Sequence, residues 1–265
     1  MRIALIQQHL AADRDASLQR GLTHLGQAAR GGAELAAFAE LAFEPFYPRC
    51  RRGETPRTAE TIPGPTTDAL CRAAKEHSIV VVGNLYEQAG ERYYDASPVI
   101  DADGTLLGVQ RMLHITDYEG FFEQDYYDEG DRGAPVFATR ACKLGVVICY
   151  DRHYPEVMRR MGLGGAELVV VPQAGTVGEW PEGLYEAELR VAAFQNGYFT
   201  ALCNRVGTEG ELQFAGESFV CDPEGQVSAR APRGEDCVLL DDLDLTSIAR
   251  STAKRLFLQH RRTDW

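Results

Sequence analysis

Long apolar runs are missing from this chain of 265 residues. The first candidate, RIALIQQ, offers only four consecutive apolar residues before its glutamines. That is too short for a signal-peptide core and far too short to span a bilayer, so a cytoplasmic protein is expected. Basic residues are also scarce: 27 Lys+Arg face 39 Asp+Glu, a net charge of −12. No excess is left to neutralise phosphates, so no nucleic-acid partner is expected, and no anionic membrane surface either. Paired cysteines are absent. The seven (Cys50, Cys71, Cys142, Cys149, Cys203, Cys221 and Cys237) are odd in number and contain no CxxC, which argues against a disulfide framework and a zinc site. Most read as small buried hydrophobes. The six histidines lack ligand spacing, so no metal is expected. No fixed-period repeat or low-complexity linker interrupts the chain, which reads as one domain over 1–265. With 45% hydrophobic and 25% charged residues, disorder is excluded.

What is present is an alternation of strand-length apolar runs with helical spacing, an α/β pattern. Strands are predicted at 2–7, 34–38, 79–83, 94–100, 106–115, 143–150, 167–171, 198–204, 214–221, 226–229 and 238–243. Helices are predicted at 12–30, 66–77, 155–163 and 186–196, with a short one from Leu245.

Three stretches can carry chemistry. In FAELAFEPFYP (38–48), Glu40 ends an apolar strand and is either a solvated loop residue or an acid placed in a pocket by the sheet. In KLGVVICYDRHYPE (143–156), Cys149 ends a strand before a polar turn and a helix. Such a turn can present a nucleophile beside backbone N–H groups that face an oxyanion; the alternative is a buried structural cysteine. RMLHITDYEGFFEQDYYDEGD (111–131) is long, aromatic and acidic, and either covers a pocket or is a surface loop.

Together these stretches resemble the nitrilase (carbon–nitrogen hydrolase) superfamily. RIALIQ, EHSIVVVGNLYE, GAELVVVP, ALCNRVG and FAGESFVCDPEG follow in the family's order, and GVVICYDRHYPE is the most specific. FFEQDYYDEGD is closest in flavour to small-amide and N-carbamoyl amidases. Tyr150 and Asp151 stand where nitrilases proper usually carry Trp-Glu. The resemblance implies a four-layer α-β-β-α sandwich of two mixed sheets with helices outside. It also implies a homodimer or larger assembly through helices near the cysteine, with no cofactor.

The resemblance further implies a Glu, Lys and Cys triad with a second Glu. The acids fall on Glu40 and Glu123 and the nucleophile on Cys149, with the Tyr150 N–H as an oxyanion donor. The lysine position holds Met112, which carries no charge and donates no hydrogen bond. Losing one oxyanion donor costs about 10²–10³ in rate. Of the nearby cations, Arg111 is expected to point to the opposite strand face from Met112 and His114 to share its face. Lys143 lies about 20 Å back along the strand at about 3.3 Å per residue, too far to substitute. Arg152, by resemblance, grips a substrate carboxylate or else forms a structural ion pair with Asp151, Glu156 or another acid. Tyr47 and Trp180, beside Glu179, either line the pocket or belong to plain loops. Met112 is open to two origins: a divergent natural branch, to which Thr116 in place of a common Pro points, or a change made to trap a complex.

Two functions follow. One is hydrolysis of a small amide or N-carbamoyl compound through a cysteine thioester. The other is a catalytically silent member that binds a small amide or serves as an interaction scaffold.

Overall fold

The structure is a computed structural model, described for residues 1–53, 58–262 and 264. The chain opens with β1 (Arg2–Gln7), α1 (Arg14–Arg30), β2 (Leu35–Phe38), α2 (Pro65–His77) and β3 (Val80–Val82). β4 (Leu85–Ala89), β5 (Arg92–Ile100), β6 (Leu106–Arg111), β7 (Asp117–Tyr118), β8 (Phe121–Phe122) and β9 (Val136–Ala138) follow. Next come β10 (Lys143–Val146), α3 (Pro155–Leu163), β11 (Leu168–Gln173), α4 (Leu184–Asn196) and β12 (Phe199–Asn204). The chain closes with β13 (Val206–Glu209), β14 (Leu212–Ala215), β15 (Phe219–Cys221), β16 (Val227–Arg230) and β17 (Cys237–Asp242).

Among the described residues, the strands form two large mixed sheets. The first has the order β17-β1-β2-β3-β5-β4, with β6 on the other edge of β5. The second runs β16-β15-β12-β11-β10-β9. Successive side chains of a strand point to opposite faces, and the central strands here each feed two cores. Ile3 and Leu5 of β1 and Val80 and Val82 of β3 meet Val146, Val170 and Ala201 between the sheets. Ala4, Ile6 and Val81 pack outward against Leu25 of α1 and Leu70 of α2. On the far side Val169 and Val171 pack against Met161 of α3 and Leu189 of α4. The result is the four-layer α-β-β-α sandwich. Residues buried on both faces explain why the sheets' central strands read as continuous apolar runs.

The helix ends follow local chemistry. The Asp13 side chain accepts from Ala16 N at 2.8 Å and starts α1 later than the apolar spacing suggested. Pro65 and Pro155 occupy first turns. Gly197 (φ 65°) ends α4 where a Cβ would lie 2.5 Å from Ser251 Oγ.

Three predicted strands need correction. The strand expected over 106–115 stops at Arg111, because Leu113 N and His114 N donate to the Asp151 carboxylate instead of to a ladder. The strand over 143–150 ends at Val146, and Cys149 begins a 3₁₀ turn, Cys149–His153. The run 214–221 is two strands in different sheets, because Gly216 (φ 68°) and Glu217 (φ 55°) turn the chain between them. The segment from Leu245 is a 3₁₀ turn, Leu245–Arg250. In the C-terminal stretch LQHRRTDW (258–265), basic and then aromatic, Thr263 and Trp265 lie outside the described residues.

Candidate active site

Strand ends of both sheets converge on one buried cluster. Glu40 stands two residues beyond β2 and is fully buried, which excludes the solvated-loop reading. Its neighbour Leu41 has φ 45°, a left-handed conformation that side chains rarely adopt, held from both sides. Leu41 N donates to Asn84 Oδ1 at 2.6 Å, and the Arg205 guanidinium donates to the carbonyls of Glu40 (3.0 Å) and Leu41. Cys149 shares the left-handed conformation (φ 39°). The β10 line continues through Val147 N to Val170 O (3.0 Å) and then breaks sharply into the 3₁₀ turn. Strain of this kind concentrates at functional turns and persists only where surroundings hold it. Here Arg152 Nη1 donates to Cys149 O at 2.9 Å.

Glu123 begins the 3₁₀ turn Glu123–Asp125, and its buried carboxylate accepts from Thr116 N at 3.1 Å. Met112 is completely buried just past β6. Its N–H donates to Asp95 O (2.9 Å), and its carbonyl accepts from Gly130 N (2.8 Å). A Cβ on Gly130 would lie 2.7 Å from the carbonyls of Arg111 and Met112, so only glycine fits this close approach. Segment 112–114 is therefore clamped between Asp95 on one side and Asp151, two residues after the cysteine, on the other.

The electrostatics are those of a crowded acidic pocket. Cys149 and Glu40 are near enough to shift each other's proton affinity, although neither Glu40 oxygen accepts a hydrogen bond among the described residues. Burial, and secondarily the Glu123 charge, raise Glu40 to about 7. Burial also holds Glu123 and Asp95 well above the carboxylate range. Burial pushes the Cys149 thiol well up; Glu40, Glu123 and Glu179 push the same way and Arg152 opposes them. At neutral pH the cysteine is thus held as a thiol.

The other residues singled out in the sequence are placed as follows. Arg111 points away from Met112, pairing with Glu87 and Asp131 under the Tyr94 ring. His114 does not share the methionine's face, because the strand has already ended. It bonds Asp151 through Nδ1 (2.7 Å) and stacks on Tyr154 at 3.5 Å between centroids. Arg152 is buried, 3.2 Å from Glu188 and over the Tyr185 ring. Its ion pair is with Glu188, not with Asp151 or Glu156. Tyr150 follows the cysteine within its turn, its ring against His153 and Tyr154. Tyr47 joins an aromatic group with Tyr86 and Tyr126 and donates to Glu44 at 3.0 Å. Trp180 packs between Tyr118 and His153 and borders a cavity of about 550 Å³. Lys143 is exposed at the start of β10. The seven cysteines are free, and Cys142, Cys149, Cys203 and Cys221 are buried.

Sequence reasoning missed Asp95, Asn84, Tyr127 and Arg205. Asp95 is buried, accepts from Asn84 Nδ2 at 2.6 Å, and has its proton affinity raised by burial and by neighbouring Glu40. Tyr127 is a buried phenol whose hydroxyl lacks a partner among the described residues. Asp95 alternates with apolar neighbours in a sheet sealed on both faces, and that was the available signal. Glu179, read with Trp180 as either pocket-lining or plain loop, accepts from the Tyr118 and Tyr185 hydroxyls and from Thr176 N (3.0 Å), and its charge helps to push the Cys149 thiol up. Among the described residues, no group of three or more His, Cys, Asp or Glu side chains is arranged to hold a metal ion.

A cysteine and buried carboxylates at the strand ends of a double-sheet sandwich define a class of hydrolase. Residues 2–252 match the family model of the carbon-nitrogen hydrolases, and the chain belongs to that family. The N-carbamoylputrescine amidase of Solanum lycopersicum is 34% identical over 233 residues, covering 82% of this chain and 77% of the relative. The carbon-nitrogen hydrolase of Helicobacter pylori G27 superposes with a TM-score of 0.91 at 27% identity, covering 100% of this chain and 96% of the other. A variant of the amidase from Nesterenkonia sp. AN1, which shows Michael addition of acrylamide at its active-site cysteine, superposes with a TM-score of 0.81 at 25% identity, covering 98% and 99%.

Proposed function

We propose that this chain hydrolyses the carbon–nitrogen bond of a small N-carbamoyl compound or amide, with Cys149 as nucleophile, Glu40 as general base and acid, and Glu123 orienting the substrate's amino group. The observation that carries this reading is the gathering of Glu40, Glu123 and Cys149 into one buried cluster, with the thiol beside Glu40. Glu40, near neutrality, suits a group that must both take and return a proton. It accepts the thiol proton as sulfur attacks the carbonyl carbon, and the Tyr150 N–H faces the oxyanion. The amine departs with the proton from Glu40. Water, deprotonated by Glu40, then cleaves the thioester or thiocarbamate and frees the cysteine. The carbamoyl class is favoured by the Solanum relative, and the cysteine's role by the acrylamide-modified neighbour.

The silent-member reading draws on Met112, which leaves the site without the family's ammonium. Ammonia release across N-carbamoyl amines, N-carbamoyl amino acids and simple amides decides between them. Hydrolysis that disappears in Cys149→Ala is expected; wild-type release no higher than that variant's would overturn the enzyme reading. The same proposal includes a homodimer. A groove of about 1040 Å³ along α3 and α4, with exposed Leu163, Val191 and Phe257 on or beside it, supports pairing of two copies there.

A further inference from the structure

The acid cluster has a deficit that fully ionised carboxylates do not resolve. Both oxygens of Glu40 and Asp95 Oδ2 are buried without a donor among the described residues. Two adjacent buried carboxylates with no ammonium between them are also a costly arrangement. Yet Asn84 ties the two groups together, bonding Leu41 N beside Glu40 and the Asp95 carboxyl, and each carboxyl shifts the other's proton affinity. A single proton between them removes the deficit, since like charges at such range do not both ionise.

Asn84 fixes which group holds that proton. Its Oδ1 accepts from the backbone N–H of Leu41 (2.6 Å), so its amide orientation is set by a donor that cannot turn round. Its Nδ2 therefore donates, to Asp95 Oδ1 at 2.6 Å and to Ser97 Oγ at 3.0 Å. Asp95 Oδ1 is committed as an acceptor, and Oδ2 is left to carry the hydrogen. Met112 N holds the Asp95 carbonyl at 2.9 Å while its thioether offers no competing donor. Around the pair lie Cys149 from the β10 end, Asp151 in the turn after it, Glu123 and Tyr127 from segment 121–127, and Arg205 beyond β12.

We propose that Asp95 is a positioning residue held protonated, whose Oδ2–H donates to Glu40 and keeps that carboxylate ionised and aimed at Cys149, where Met112 supplies no cation. The inference rests on the assignment of Glu40 as base to Cys149. Its proton balance is closed: the Asp95 hydrogen stays in place, while the thiol proton passes to Glu40 and then to the leaving amine.

The test is the rate at which iodoacetamide alkylates Cys149 in the full chain, followed by mass spectrometry of the Cys149 peptide from pH 5 to 10. Glu40→Gln is expected to slow it by about 100-fold, as loss of a general base does. Asp95→Ala is expected to slow it by about tenfold or more. Asp95→Asn, whose amide can donate to Glu40 as the acid does, is expected to stay within about threefold and to lose the alkaline fall that follows release of the shared proton. An unchanged rate in Glu40→Gln overturns the base assignment and this inference with it. An effect of Glu40→Gln beside an Asp95→Ala rate within twofold of wild type overturns this inference alone, as does an Asp95→Asn rate as low as that of Asp95→Ala. Should Asp95→Ala not fold, the infrared difference between wild type and Asp95→Asn at pH 7 decides: a protonated-carboxyl C=O band present only in wild type is expected, and its absence overturns the proposal.

Discussion

Arg111 and Met112 are consecutive residues that serve opposite kinds of buried environment. Behind Arg111 every charge is answered: its guanidinium meets Glu87 through Nε (2.8 Å) and Nη2 (2.7 Å) and Asp131 through Nη1 (2.7 Å), over the Tyr94 ring. Around Met112 the carboxyl groups of Glu40, Asp95 and Glu123 crowd the Cys149 thiol, and Arg205 and Arg152 offset them only in part. A paired buried charge holds the sheet edge in place and does no chemistry. An unpaired one is displaced from its ordinary pKa and becomes able to exchange a proton near neutrality. The contrast explains how one strand end can be both scaffold and site.

Three substitutions break or sharpen this contrast. Arg111→Met makes the scaffold side resemble the site side by leaving Glu87 buried without its partner. A loss of about 3–5 kcal/mol is expected, read as the shift in urea midpoint. Met112→Lys does the reverse. An ammonium beside Glu40 and Asp95 is expected to raise kcat/KM by about 10², roughly 2.7 kcal/mol, through oxyanion stabilisation; a fall would mean that methionine belongs to the working site. Glu40→Gln removes one displaced carboxyl. Because Glu40 titrates near 7 in the folded protein and near 4.3 unfolded, the native state binds more protons between those values, and Glu40 costs stability increasingly as pH rises through that window. The variant should therefore melt about 5 °C above wild type at pH 8 and close to it at pH 4, in thermal scans at the two pH values.

The spacing of apolar residues was enough to place the main strands and all four α-helices, because a sandwich buried on both sheet faces demands long apolar strands and its helices need amphipathic stripes. It failed where polar contacts override periodicity. The strand through Arg111 ends because the Asp151 carboxylate takes the N–H groups of Leu113 and His114, and nothing local in LHITD announces that partner. The short ribbon β7–β8 was equally invisible, being two residues long on each side.

By itself the sequence determined the family and the order of strands and helices, and it nominated Glu40, Glu123, Cys149 and the methionine at position 112 as candidates, since each sits in a short segment whose residue types carry their own signal. Only the tertiary structure decided what surrounds them. It buried Glu40, turned Arg111 away, tied His114 to Asp151 and Arg152 to Glu188, and brought Asp95 to Glu40 through Asn84. The reason is that proton affinity and pairing depend on distance and dielectric, which are set by residues far apart in the chain, whereas strand and helix formation is largely set by residues close together.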